Sequence, residues 1–214
     1  MWENNIYFER AFEEFTDFLQ HSRLTPAEIR AVLDEIELAN NKVHGYGSRN
    51  FGRNLTECYR RLCERDICPA DLDRVMSFAE RILEQPLELI DGVQETLEYL
   101  VTRHDLVLCT KGDPEEQKLK IERSGLAPFF GHTAIVKEKD AEAYRQLVSS
   151  LGWPAHRCWM IGNSPKSDII PALEAGLGAV YVPHERTWHL ERTEIPESDR
   201  LRRVNRFSDL QHLF

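Results

Sequence analysis

The sequence predicts an α/β fold in which a doubly wound parallel sheet follows a helical N-terminal half. Four short apolar runs lie in the second half, at residues 106–109, 133–136, 158–161 and 179–182, and segments with helical spacing separate them. Strands that alternate with helices form parallel sheets with right-handed crossovers. The first three runs end in polar residues, at the strand ends where ligands bind in such sheets.

The first part of the chain, residues 1–86, is predicted to be helical and to form a domain of its own. Thr25-Pro26-Ala27-Glu28 has the pattern of a capping box with proline at the first helical position. The predicted helices cover residues 8–19, 26–39, a stretch after the glycine-rich break at 45–47, and 72–83. On these residues alone, a separate helical bundle explains the aromatic and aliphatic spacing.

Residues 87–214 are predicted to form the α/β domain. Residues 88–92 resemble a linker, and a helix follows at 93–101. Beyond the last apolar run, the chain from His184 is polar and rich in arginine. It ends in a short amphipathic piece at 207–214.

Composition and charge narrow the classes of function. The net charge of −9 argues against nucleic acid or an anionic membrane as the main partner, because both require a basic face. No stretch reaches the apolar length of a membrane span, and Met1-Trp2-Glu3-Asn4-Asn5 does not read as a signal peptide. Five cysteines without a CxxC pair favour reduced thiols and a cytoplasmic location.

Polar residues follow the first apolar run at Thr110-Lys111-Gly112-Asp113, and Pro114 then opens a helix. A hydroxyl and the backbone N–H groups of a turn at a helix start suit a phosphate or another oxyanion. The alternative is that Asp113 merely caps the helix.

Two further strand ends carry charged or amide side chains. Lys137-Glu138-Lys139-Asp140 follows the second run, where a lysine can neutralise a phosphate and Asp140 can cap the next helix. Asn163 and Asp168 follow the third run, which places them where a ligand or metal would bind. A hydroxyl, a cation and a carboxylate at three neighbouring strand ends form the set that phosphoryl transfer requires.

At these residues the chain resembles the haloacid dehalogenase-like superfamily. The strand that ends at Thr110 resembles its second motif, Lys139 its third motif with Lys137 as the alternative, and Gly162 to Asp168 (GNSPKSD) its fourth. The resemblance covers essentially the whole chain. It implies a Rossmann-like core and a helical cap formed by the N-terminal helices.

The resemblance also implies a Mg²⁺-dependent phosphatase that acts on a small phosphorylated metabolite. The implied phosphate-binding residues are Thr110, Lys111, Gly112 and Lys139, of which Thr110 and Lys139 are also the implied catalytic residues. Asp168 and Asn163 are the implied metal ligands. Asn163 stands where the superfamily often has an acid, so the metal site has one charge fewer.

One motif of the superfamily is missing. Its first motif, DxDx[TV] at the end of a core strand, supplies the aspartate nucleophile and the general acid/base. This chain begins at Met1-Trp2, where that motif would have finished, so we expect the central first strand and the nucleophile to be absent. The string from Asp71 to Val75 matches the pattern, but no apolar strand precedes it. We interpret that string as the first turn of a helix.

Three alternatives stay open: a catalytically inactive binding or interaction protein, a haloacid dehalogenase that needs no metal, and a fragment from a misplaced start codon. We favour the last for the N-terminus, combined with the phosphatase hypothesis for the family. A missing central strand leaves the strands that end at Thr110 and Ile161 facing a gap. We expect them to close on each other, to pair with a second molecule, or to leave the free chain poorly stable.

Overall fold

A computed structural model describes residues 1–214 of the protein. They divide into two compact units, Asn4–Leu87 and a second unit that joins Met1–Glu3 to Glu88–Phe214. The first unit is helical and the second is α/β, as the sequence predicts. None of the helices combines the length and the apolar character that a membrane crossing requires.

The helical unit contains four helices around an aromatic and aliphatic core. They are α1 (Asn5–Leu19), α2 (Pro26–His44), α3 (Ser48–Leu62) and α4 (Pro69–Glu80), and a 3₁₀ turn follows at Arg81–Glu84. The capping box that opens α2 is present, since Thr25 and Glu28 bond each other's backbone N–H groups. Helix α2 continues past its predicted end near Ala39, and the Asn40 side chain there donates to Asn54 of α3.

The α/β unit has five short strands and four helices. The strands are β1 (Val107–Lys111), β2 (His132–Val136), β3 (Trp159–Gly162), β4 (Gly178–Tyr181) and β5 (Leu201–Arg203). The helices are α5 (Val93–Val101), α6 (Pro114–Ser124), α7 (Ala141–Ser150) and α8 (Ile170–Glu174), and a π-helical turn at Pro165–Ile169 leads into α8. Strand β5 lies in the arginine-rich stretch for which the sequence predicts no strand.

All strand pairs are parallel, but the strands form two sheets. Strands β1 and β2 pair with Val107 opposite His132, and β3, β4 and β5 form the other sheet in that order. Strands β1 and β3 do not pair with each other. The first of the three expected alternatives, in which they close on each other, is therefore wrong, and each keeps one edge without a backbone ladder.

A shared apolar core holds the two sheets in one unit. Tyr144 of α7, Ile169 and Ala179 of β4 are buried in one cluster, against which Cys109 of β1 and Met160 of β3 also pack. Side chains from both sheets thus contribute to the same core, although no backbone ladder joins them.

The first three residues are held by contacts within the α/β unit. The Ile90 N–H donates to the Met1 carbonyl at 2.9 Å, and Trp2 forms an antiparallel bridge with Leu89. The Glu3 carboxylate pairs with His184 at 3.1 Å and with Arg186 at 3.5 Å.

Candidate functional site

The end of β1 places Thr110 beside the first turns of α6. The Thr110 hydroxyl donates to Gln117 Oε1 at 2.9 Å. Gly112 has a φ of +143°, and a Cβ built there would lie 2.8 Å from the Gln117 side chain. Asp113 accepts hydrogen bonds from the Glu115 and Glu116 N–H groups, so it caps α6 as the alternative interpretation expects.

Lys139 and Asp168 form a buried ion pair. Lys139 Nζ lies 2.8 Å from Asp168 Oδ1, and the two side chains are 13% and 6% exposed. Lys137, the alternative third-motif lysine, is exposed. The structure thus brings Lys139 together with the predicted acidic residue of the third strand end.

Burial and neighbouring charges act on the Lys139 ammonium in opposite directions. Burial lowers the pKa of Lys139, but the charge and the hydrogen bond of the Asp168 side chain favour the ammonium, so this pKa lies above its ordinary value. The Met1 α-amine is also buried near this pair. Burial and the Lys139 charge together lower the pKa of the Met1 amine to about 6. This environment therefore favours the protonated form of the Lys139 side chain.

The Asp168 carboxylate is held close to the end of β3. The Ser164 N–H donates to Asp168 Oδ2 at 3.0 Å, and a Cβ on Gly162 would lie 2.2 Å from that same oxygen. Position 162 therefore requires glycine because of this close approach, not because of its backbone angle. Both carboxylate oxygens of Asp168 have a hydrogen-bond donor.

The predicted metal ligands do not form a complete magnesium site. The Asn163 amide donates to Thr187 Oγ1 at 2.7 Å, which leaves its carbonyl oxygen as the atom able to ligate. Asp168 is already paired with Lys139. No group of three or more His, Cys, Asp or Glu side chains is arranged to hold a metal ion. An octahedral Mg²⁺ shell would need further oxygens beside these two, and waters and substrate phosphates usually supply them.

Lys111, a predicted phosphate-binding residue, points its ammonium at protein acceptors. Lys111 Nζ donates to Glu191 at 2.7 Å, to Ser167 at 2.8 Å and to Glu138 at 3.0 Å. Ser167 enters the sequence prediction only as a member of the GNSPKSD motif, and Glu191 has no part in it. Glu191 lies in a polar stretch without periodicity, so no local pattern marks it.

The string that matches the first-motif pattern, Asp71 to Val75, lies in the first turns of α4. Asp71 Oδ2 accepts the hydrogen bond of the Cys68 N–H, as an acidic residue near a helix start does. The interpretation of this string as helical is confirmed.

A parallel α/β unit with a lysine–aspartate pair at the ends of two of its strands is of the Rossmann-like class. Comparison with known families agrees. The family model of haloacid dehalogenase-like hydrolases matches residues 4–176, and the chain belongs to this family.

Individual relatives give the same picture. A haloacid dehalogenase-like hydrolase of known structure from Xanthomonas campestris is 31% identical, with a TM-score of 0.87 over 100% of this chain and 85% of its own. The pyrimidine 5'-nucleotidase PynA of Streptococcus pneumoniae is 30% identical over 117 residues, which are 51% of this chain and 48% of the relative. A phosphoserine phosphatase of Thermus thermophilus is 30% identical over 114 residues, 51% of this chain and 43% of its own. The chain thus spans about half the length of the curated relatives it matches.

Proposed function

We propose that this chain supplies the phosphate-recognition side of a phosphoric monoester hydrolase that acts on a small phosphorylated metabolite. The observation that carries the proposal is the buried pair of Lys139 and Asp168, which presents one ammonium at the strand ends. The names of the two curated relatives, a 5'-nucleotidase and a phosphoserine phosphatase, support a phosphate ester as the substrate.

Lys139 and Thr110 take the principal roles in this proposal. A fixed ammonium offsets the charge of a phosphoryl group without reorganisation during the reaction. Gln117 Oε1 orients the Thr110 hydroxyl by accepting a hydrogen bond from it, so the lone pairs of the Thr110 oxygen point away from Gln117. Gly112 lets the backbone turn directly after β1, where N–H groups are available to an anion.

The site lacks a placed nucleophile among its buried carboxylates. Asp168 pairs with Lys139, and Glu191 pairs with Lys111, so both carboxylates are committed to ammonium groups. Aspartyl-phosphate formation requires a free carboxylate that faces the phosphorus. We therefore propose that the chain by itself binds the phosphate group but does not turn over an ester.

Mg²⁺ is the proposed cofactor on the strength of the family resemblance. Asp168 and Asn163 are the residues through which it would act, but their donor set is incomplete. We assign no step of the chemistry to the ion.

The proposal also covers the helical unit, the location of the protein in the cell and its self-association. We propose that the helical domain (1–86 as predicted, Asn4–Leu87 as observed) acts as the cap that contributes to substrate selectivity, with the rest of the chain as the core, and that the protein works in the cytoplasm. As a further proposal, the chain self-associates. The edges of β1 and β3 that pair with no other strand support this, because exposed strand edges can pair with other chains.

Titration of orthophosphate into the protein, followed by calorimetry, tests the phosphate site. We expect binding that Lys139→Ala abolishes and that Lys137→Ala, the matched exposed lysine, leaves unchanged. Equal loss in both variants contradicts the assignment of Lys139. Binding of a 2-haloacid without binding of orthophosphate favours the dehalogenase alternative instead.

A further inference from the structure

Glu191 is a buried acid that contacts two separate parts of the site. The residue is 7% exposed and lies in a 3₁₀ turn at His189–Glu191. Its Oε1 accepts from Lys111 Nζ at 2.7 Å, and its Oε2 accepts from the Ser164 hydroxyl. One carboxylate therefore connects the end of β1 with the loop after β3.

The Ser164 hydroxyl, which bonds Glu191, also bonds the loop that carries Asp168. Ser164 Oγ accepts from the Ser167 N–H at 2.9 Å, while the Ser164 N–H donates to Asp168 Oδ2. The Asp168 N–H in turn donates to the Ser164 carbonyl at 2.8 Å. The position of the Asp168 carboxylate thus depends on Ser164, and the Ser164 hydroxyl is fixed by Glu191.

Lys111 forms the second arm of the same arrangement. Its ammonium bonds Glu191 and also the Ser167 hydroxyl, at 2.7 Å and 2.8 Å. Since Lys111 belongs to the β1–β2 sheet and Ser167 follows β3, these bonds cross between sheets that share no ladder. Among the ion pairs of the protein, only Lys139 with Asp168 is likewise buried and links the two sheets.

Glu191 is ionised in this setting. Burial raises its pKa, but the Lys111 charge and the hydrogen bonds from Lys111, Ser164 and Ser167 outweigh burial and lower it. Because each of its two oxygens accepts a hydrogen bond, the buried carboxylate of Glu191 is held in one orientation.

We propose that Glu191 is a positioning residue, which holds the Asp168 loop through Ser164 and ties that loop to β1 through Lys111. Lys111 then acts as a cross-link of the site and not as a phosphate ligand. Asp168 in turn orients Lys139, so Glu191 would affect phosphate binding only if the proposed function is correct. The contacts themselves do not depend on it.

Three variants separate positioning from simple charge compensation. Glu191→Met removes both contacts at similar side-chain length. The double variant Glu191→Met/Lys111→Met also removes the lysine that would be left unpaired, and such apolar replacements of a buried pair are often neutral or stabilising. Glu194→Met is the matched control, since Glu194 lies exposed in the same segment.

Amide hydrogen exchange provides the readout that needs no activity. In Glu191→Met and in the double variant, we expect the Ser164 and Ser167 amides to exchange about tenfold faster or more, because their acceptors are no longer fixed. Amides of the helical unit and those of Glu194→Met should keep their rates. Wild-type exchange at Ser164 and Ser167 in the double variant overturns the proposal.

Phosphate titration with the same proteins supplies the functional readout. We expect the double variant to regain thermal stability yet to bind orthophosphate about tenfold more weakly than the unmodified protein, as loss of a supporting contact does elsewhere. Recovery of affinity together with stability would show that Glu191 only compensates charge. If the unmodified protein binds no phosphate at all, the proposed function fails, while the exchange result still decides the role of Glu191.

Discussion

The ammonium of Lys139 lies 2.8 Å from the carboxylate of Asp168, and this contact joins two sheets that share no backbone ladder. Lys139 follows β2 and Asp168 follows β3. Because the pair is buried, each charge would be costly to leave alone. The lysine that we propose to recognise phosphate therefore also contributes to the stability of the α/β unit.

Lys139→Met should destabilise the protein, since it leaves the Asp168 carboxylate buried and unpaired. We expect a loss of about 3 to 5 kcal/mol in the free energy of unfolding, measured by urea titration. Lys137→Met at the exposed neighbouring lysine should stay within about 0.5 kcal/mol. Lys139→Met/Asp168→Asn should recover part of the loss, and no recovery would mean that the pair is not the cause.

Gly162→Ala should be costly because the new methyl group would lie 2.2 Å from the Asp168 carboxylate. We expect a loss of about 1 to 3 kcal/mol, as overpacking typically causes, together with weaker phosphate binding. Gly131→Ala is the control, since no atom lies within 4 Å of its Cβ position and its φ is not positive. Equal effects at both glycines would contradict the close approach of Asp168.

The buried acid of the helical unit, Glu37, should make stability depend on pH. Burial raises the pKa of Glu37 to about 8, in spite of the nearby Arg30. Between these two pKa values the folded state keeps a proton on Glu37 that the unfolded state releases. The contribution of protonated Glu37 to the free energy of unfolding is therefore complete below the unfolded pKa of 4.5 and is lost as pH rises to about 8.

Glu37→Gln tests this dependence because glutamine cannot ionise. The free energy of unfolding of the variant minus that of the unmodified protein should grow by roughly 1.4 kcal/mol per pH unit between about pH 5 and 8. Urea titrations at several pH values measure it, and Glu35→Gln removes a carboxylate from an exposed position of the same helix. A difference that stays constant with pH would show that Glu37 ionises normally.

The protein as it stands should not hydrolyse p-nitrophenyl phosphate above background, even with Mg²⁺. Asp71→Asn should change nothing, because Asp71 caps α4. Joining an apolar strand that ends in DxDxT to Met1 should produce Mg²⁺-dependent turnover, and Asp168→Ala should then remove most of the rate together with the metal dependence. Robust turnover without the added strand, abolished by Asp71→Asn, would overturn this account.

Parallel strands were predictable where apolar residues run together, as in β1 to β4. Strand β5 was not, because two of its three residues are arginines and Leu201 alone resembles a strand residue. The end of α2 was misjudged for a similar reason. Asn40 resembles a helix stop in sequence, but its side chain bonds α3 instead.

In the candidate site too, residues that follow a strand could be predicted from the sequence, and contacts between distant positions could not. Lys139 and Asp168 follow apolar runs, so strand-end reasoning selects them. Glu191 lies 80 positions from Lys111 in sequence, and only folding brings the two together. The assignment of Lys111 to phosphate binding stays a prediction, and nothing in the sequence points to its acid partner because that partner lies far away in the chain.

The burial of the Met1 amine beside Lys139 and Asp168 has a practical consequence. An affinity tag, a retained formyl group or an acetyl cap at this end would place new atoms against the ion pair, with the effect of a substitution in the site. A group attached at Met1 therefore changes the surroundings of the ammonium that we propose to bind phosphate.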